Sequence, residues 1–277
     1  MSLNPNANHA LSPTRGSRAH HSEPRPYNLE EARYHFMVYL RDVTAVFDGF
    51  KALDIKSWGV YHNELRVVIG PNGAGKTTLC DVISGKTPPT TGQVYIDDSD
   101  ITTLADSDIA RMGVGRKFQT PTVFDSLTVY ENMNLTLPQA RGVWRNLFLR
   151  ETQAERHRID ALLHRVRLYE QRYEQAKYLS HGQRQWLEIS MLILAKPQLL
   201  LVDEPAAGLT DAETGLTADL LLELKDEHTI IVIEHDMDFV RRLGAWVTVL
   251  NEGQVLADGP MDEVQANPQV IEAYLGR

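Results

Sequence analysis

Gly70-Pro71-Asn72-Gly73-Ala74-Gly75-Lys76-Thr77-Thr78 satisfies the phosphate-loop pattern G-x-x-x-x-G-K-[ST] in full, and the elements on either side follow from that reading. The mostly apolar run Leu65 to Ile69 predicts a buried strand, Asn72 to Gly75 the turn, and Thr78 to Ser84 the helix that follows. Each loop residue then has a mechanical job in holding a nucleoside triphosphate. Glycines let backbone N–H groups crowd around phosphate oxygens, and the positive end of the new helix points at them. Lys76 reaches the β and γ phosphates, the Thr77 hydroxyl ligates Mg²⁺, and Asn72, Gly73, Ala74, Gly75 and Thr78 complete the cradle. Such a match arises by chance in roughly one chain of this length in a hundred, so a merely glycine-rich turn is the weaker reading.

Composition bounds what else the chain can be. At 277 residues and 43% hydrophobic content it can bury a sizeable core in one or two domains. A net charge of −9 argues against a nucleic acid or an anionic membrane surface as the main partner, since both require a basic footprint. Cys80 is the one cysteine, which excludes an intramolecular disulfide or a cysteine-cluster metal site. No stretch opens the chain like a cleavable secretory signal, and no window approaches 18 consecutive apolar residues, so the expectation is a cytosolic protein whose link to a membrane runs through a partner. Residues 1–33, rich in Asn, Ser, Pro, His and Arg, are expected to be a disordered tail, with His9, His20 and His21 solvated rather than metal-binding.

After the tail, strand-like runs occur at Phe36 to Leu40, Leu65 to Ile69, Gln93 to Ile96 and Gly113 to Phe118. Ile159, Leu162, Leu163 and Val166 recur at helical spacing, which marks a helical insertion, with Arg156, Arg158, Arg165 and Arg167 on its solvated face. Apolar runs return at Leu199 to Val202, Thr229 to Ile233 and Trp246 to Leu250. Short continuous apolar runs alternating with helices predict a parallel sheet covered on both faces. The run ending at Val202 is followed by Asp203-Glu204-Pro205. A carboxylate at the carboxyl end of a buried strand is where the Mg²⁺ of a bound nucleotide would be met, and Glu204 can take a proton from an attacking water. The pairing predicts a hydrolase rather than a binder.

Between these elements lies Leu179-Ser180-His181-Gly182-Gln183, which resembles the L-S-G-G-Q signature of ATP-binding cassette (ABC) ATPases, over about residues 36 to 277. The resemblance implies an α/β fold: a phosphate-loop (RecA-like) ATPase core, an N-terminal antiparallel β subdomain and an inserted α-helical subdomain at about 120–185, within one domain spanning 34–277. It also implies that ATP and Mg²⁺ are clamped between two cassettes, with Ser180, Gly182 and Gln183 completing the partner's site. His181 replaces a glycine and is read as structural. By the same resemblance Phe47 stacks on adenine, Gln119 contacts Mg²⁺ and the attacking water, Asp211 belongs to a loop crossing the dimer interface, and His235 meets the γ phosphate. Catalysis would rest on Glu204, His235 and Gln119, and the metal on Thr77, Gln119 and Asp203.

Ala206-Ala207-Gly208 and the ending Asn267 to Gly276 look like the ATPases of branched-chain amino acid importers. Within that group, Gly113 to Phe124 and Leu179 to Glu188 look most like the urea-type subunit, which implies uptake of urea or short amides, with a branched-chain amino acid as the alternative. The implied partners are a second, identical or paralogous cassette, integral membrane permease subunits and, indirectly, a solute-binding protein, but no nucleic acid. The protein would sit on the inner face of the membrane through the permease. Phe124, Trp144, Leu147 and Phe148 put more apolar area into the insertion than a solvated loop needs. They could fill the insertion's own core, but in the resembling family this region lies beside the groove that receives a permease helix, which implies that at least one of the four is exposed in the free subunit and buried on docking. A soluble ABC ATPase acting on DNA or ribosomes would show coiled coils, zinc modules or two cassettes, and an unrelated kinase would leave Leu179 to Gln183 and His235 unexplained.

Overall fold

Two sheets sort out the apolar runs in the computed structural model, which describes residues 36–117, 123–137 and 152–275. Tail residues 1–33, Gln119, Trp144, Leu147 and Phe148 lie outside the described residues. The chain begins with a long hairpin of β1 (Phe36–Phe47) and β2 (Phe50–Tyr61), paired from Phe36↔Tyr61 to Phe47↔Phe50. β4 (Thr91–Ile96) and the short β5 (Ser99–Asp100) complete an antiparallel sheet in the order β2-β1-β4-β5. The second sheet has the order β10-β9-β3-β8-β7-β6, built from β3 (Leu65–Ile69), β6 (Val114–Lys117), β7 (Leu199–Asp203), β8 (Thr229–Ile233), β9 (Trp246–Asn251) and β10 (Gln254–Pro260). Its strands run parallel except β10, which returns antiparallel to β9.

Every residue of β3, β7 and β8 is buried, which explains their unbroken apolar sequence. The period of two then divides the side chains between two cores. Val67, Leu200, Val202, Ile230 and Val232 face a core shared with α5 (His181–Leu194) and α6 (Asp211–Leu224). Val68, Leu199, Leu201, Ile231 and Ile233 face the other, shared with α1 (Lys76–Ile83) and with Leu40, Leu53 and Val94 of the antiparallel sheet. Among the described residues the other α-helices are α2 (Asp106–Arg111), α3 (Val129–Leu135), α4 (Gln153–Arg165), α7 (Met237–Leu243), α8 (Met261–Ala266) and α9 (Pro268–Leu275). α3 and α4 precede α5 and share its core through Met133, Ile159 and Leu163.

Three sequence expectations shift. The helix after the phosphate loop begins at Lys76 rather than Thr78, because Gly75 serves as its N-cap. Asp211 is the first residue of α6 rather than a loop residue, since Thr210 caps that helix with Glu213. Arg158 and Arg165 do not merely face solvent: Arg158 donates to the Leu194 carbonyl at 2.8 Å, and Arg165 pairs with Glu223 at 3.0 Å, tying the insertion to α5 and α6.

Candidate functional site

The parallel strands deliver the site to one edge. Gly70 follows β3, Asp203 ends β7, and Glu234 and His235 follow β8; the pairings Val68↔Ile233 and Asp203↔Ile233 bring these ends level. A crevice at the carboxyl ends of such strands is where an α/β sheet binds ligand. The cavity of about 460 Å³ bounded by Arg158, Leu162, Ile193 and His228 lies instead at the amino ends of β7 and β8, away from this chemistry.

Glycine is structurally required in the loop. Gly75 has φ +99° and a side chain there would press 2.5 Å from the Ala52 carbonyl, while Gly73 has φ +80° and faces open space. α1 has no side-chain cap and no acidic residue in its first turn, whereas α3, α4, α5 and α6 all carry capping boxes. Its leading N–H groups are therefore left for an anion. Lys76 Nζ meanwhile donates to the carbonyls of Gly70 at 2.7 Å and Pro71 at 3.0 Å. Burial holds this ammonium below the usual lysine range, and the nearby Glu204 and Asp203 carboxylates act in the opposite direction. Ala74 is buried, Thr78 is half-buried, and Asn72, Gly73 and Thr77 are exposed.

Asp203 is buried at the end of β7, and Glu204 turns out of the strand in the left-handed region at φ +48°, its N–H donating to the Ile233 carbonyl at 2.9 Å. That turn sets Glu204 Oε1 3.6 Å from His235 Nδ1, with both side chains open to solvent. Arg116 of β6, the strand that leads to Gln119, pairs with Asp81 of α1 at 2.5 Å and donates to Ser84 at 2.8 Å. Phe47, at the hairpin tip, is 46% exposed rather than a core aromatic, and the same hairpin touches Gly75 through Ala52 and Leu53.

Ser180, Gly182, Gln183 and Asp211 form a second group, at the facing ends of α5 and α6. Ser180 caps α5: its Oγ accepts from Gln183 N–H at 3.2 Å while Gln183 Oε1 accepts from Ser180 N–H at 2.9 Å. The Ser180 hydroxyl also donates to Glu213 at 3.4 Å, and a Cβ at Gly182 would press 2.5 Å from the same Glu213 carboxylate, which would have to shift. His181, which replaces the signature glycine, turns its ring aside, Nε2 lying 3.1 Å from the Ala207 carbonyl.

Glu234 escaped the sequence reading of the site. It is 1% exposed, and its two oxygens accept from Ala206 N–H at 2.9 Å, His235 N–H at 2.8 Å and Asp236 N–H at 3.2 Å. The signal available was an acid closing an apolar strand immediately before a site histidine.

A phosphate loop with an acidic strand end and a facing histidine defines a nucleotide-hydrolysing cassette. The chain belongs to the ABC transporter family: the family described as ABC transporter matches residues 53–207, and that described as Branched-chain amino acid ATP-binding cassette transporter matches 254–277. It is 37% identical over 239 residues to the high-affinity branched-chain amino acid transport ATP-binding protein LivG of Escherichia coli (strain K12), covering 83% of this chain and 94% of that one. Among solved structures it is similar to a nucleotide-free ATP-binding cassette from an ABC transporter, at 28% identity and a TM-score of 0.77, covering 87% of this chain and 100% of that one. It is also similar to the dimeric post-hydrolysis state of the cassette MJ0796 bound to ADP and Pi, at 26% identity and a TM-score of 0.68, covering 81% of this chain and 99% of that one. The chain is accordingly the ATP-hydrolysing subunit of an ABC importer. Urea, expected from the sequence, finds no support here: the matched C-terminal family and LivG are both named for branched-chain amino acid transport.

Proposed function

We propose that this subunit powers the import of branched-chain amino acids, closing with a second cassette on ATP and passing the movement to membrane permease subunits. The observation that carries the solute is the match of residues 254–277 to the branched-chain amino acid cassette family, supported by the likeness to LivG. The ATPase site itself holds no determinant of the solute. Among the described residues no helix is long and apolar enough to cross a membrane, and we place the protein at the inner face through its permease.

The chemistry follows from the site. The N–H groups at the start of α1 and Lys76 hold the β and γ phosphates, and Phe47 offers a ring to adenine. Thr77, Asp203 and Gln119 are assigned to Mg²⁺: hydroxyl, carboxylate and amide are the hard oxygen donors that this ion takes alongside phosphate and water. When bound, Mg²⁺ neutralises charge that develops on the phosphates. Glu204 accepts a proton from the attacking water, and His235, 3.6 Å away, orients that carboxylate and faces the γ phosphate. Ser180, Gly182, Gln183 and Asp211, on the ends of α5 and α6, complete the partner cassette's site.

Purified transporter in proteoliposomes tests the solute. Leucine or valine, presented with the solute-binding protein, should stimulate ATP hydrolysis and accumulate inside, whereas urea should do neither. The second reading, urea or short amides, is favoured by the residues Gly113 to Phe124 and Leu179 to Glu188, and stimulation by urea alone would establish it.

A further inference from the structure

We propose that His181 and Glu234 are positioning residues that make the segment Pro205–Thr210 a taut link between the loop carrying His235 and the signature helix α5, so that each nucleotide site of the two-cassette assembly responds to the other. The proposal rests on the two-cassette reading given above. Nothing in the phosphate-loop chemistry calls for either side chain, yet both grip the same dipeptide.

From one side comes Glu234, a buried carboxylate whose oxygens hold Ala206 N–H at 2.9 Å together with the N–H groups of His235 and Asp236. From the other comes His181, whose Nε2 meets the carbonyl of the very next residue, Ala207, at 3.1 Å. A carbonyl only accepts, so Nε2 carries the hydrogen. Gln185 Nε2 donates to the Pro205 carbonyl, and Trp186 Nε1 to Thr217 Oγ1 at 3.0 Å, so α5 is fastened to this segment and to α6 beyond it. The His181 ring also lies over Gly208, where a Cβ would stand 3.3 Å from Nε2.

Adjacent Cα atoms are about 3.8 Å apart across a trans peptide, so the grips on Ala206 and Ala207 are separated by only a few backbone torsions. A displacement of the His235 loop is thereby passed toward the N-terminus of α5 through a very short stretch of chain. The loop reads the γ phosphate of its own site, and Ser180 at the end of α5 serves the partner's. The glycine of the L-S-G-G-Q pattern has no side chain to donate to Ala207, so the histidine ring here adds a contact that the pattern alone does not carry.

ATP hydrolysis by the assembled transporter, followed against ATP concentration, tests the link. Wild type should be cooperative. His181→Ala should lower kcat about five-fold and bring the Hill coefficient toward one, with nucleotide affinity of the isolated subunit and its thermal midpoint nearly unchanged, since the side chain is exposed. His181→Gln, whose amide can still donate to Ala207, should restore most of both. Adding Glu234→Gln to His181→Ala should cost no more than Glu234→Gln alone, because both break one link. Unchanged kcat and cooperativity in His181→Ala, equal losses in the Ala and Gln variants, or additive losses in the double variant would overturn the proposal. A wild type that hydrolyses ATP without cooperativity overturns it too, while leaving the transport reading standing; a wild type that hydrolyses none removes both.

Discussion

Glu204 Oε1 and His235 Nδ1 stand 3.6 Å apart, although the two residues leave different strands of the parallel sheet. The left-handed backbone at Glu204 makes this meeting possible, and Glu234 fixes the other side by binding the His235 N–H. His235→Ala should therefore lower kcat by about 100-fold while leaving nucleotide affinity of the isolated subunit nearly intact. Turnover measured with the assembled transporter, beside titration with a fluorescent nucleotide, checks this. Turnover within about two-fold of wild type would remove His235 from the reaction.

Lys76 and Ser180 separate binding from assembly. Lys76 lies among the loop carbonyls of Gly70 and Pro71, whereas the hydrogen bonds of Ser180 run to Gln183, Arg184 and Glu213. Lys76→Ala should weaken ATP binding to the isolated subunit by roughly 1.5–3 kcal/mol, the value of a charge-assisted contact. Ser180→Arg removes a helix cap, costing about 1 kcal/mol of stability, but should leave that affinity unchanged and block hydrolysis in the assembly. Equal losses of affinity in the isolated subunit would place the signature beside its own phosphate loop.

Cys80 lies inside α1, fully enclosed, and burial pushes its thiol up to about 12 although Arg116 pulls it down. The thiol is therefore neutral throughout the physiological range and should not react with a disulfide reagent at pH 8 until the protein unfolds. An unfolded thiol ionises near 9.0, so the folded state's raised value contributes stability below that pH and loses it progressively toward 12. Thiol titration in native and denaturing buffer checks this, and rapid labelling of the native protein would contradict the burial.

Phe124 is 57% exposed, and the turn that carries it is held by Asn132 rather than by its own ring: Phe124 N–H donates to Asn132 Oδ1 at 2.8 Å, and Asn132 Nδ2 returns to the Phe124 carbonyl at 3.1 Å. Phe124→Ser should then leave the thermal midpoint and ATP binding of the isolated subunit nearly intact, while weakening stimulation of hydrolysis by the permease. A drop of many degrees in the midpoint would assign the ring to packing instead.

Strands β3, β7 and β8 were legible because burial on both faces demands continuous apolar runs; Asp203 and Glu204 lie near Lys76, and His235 lies beside Glu204. β1 and β2 were less so. β1 extends through Phe47, well past Leu40, and in β2 the buried Leu53, Ile55, Trp58 and Val60 are interrupted by Asp54, Lys56 and Gly59. The capping boxes Thr128…Glu131, Thr152…Glu155, Ser180…Gln183 and Thr210…Glu213 went unread as helix starts, and the last explains why Asp211 is helical rather than in a loop. Glu234 was hidden because a buried carboxylate makes sense only once the backbone N–H groups it satisfies are known.

Glu204 carries the central claim, that this chain hydrolyses ATP by proton transfer from water to a strand-end carboxylate. Glu204→Gln keeps the shape and the phosphate loop but gives up the base. ATP turnover of this variant in the assembled transporter should fall by more than about 100-fold while ATP-loaded cassette dimers accumulate on size-exclusion chromatography. Turnover within about two-fold of wild type, with no trapped dimer, would contradict it.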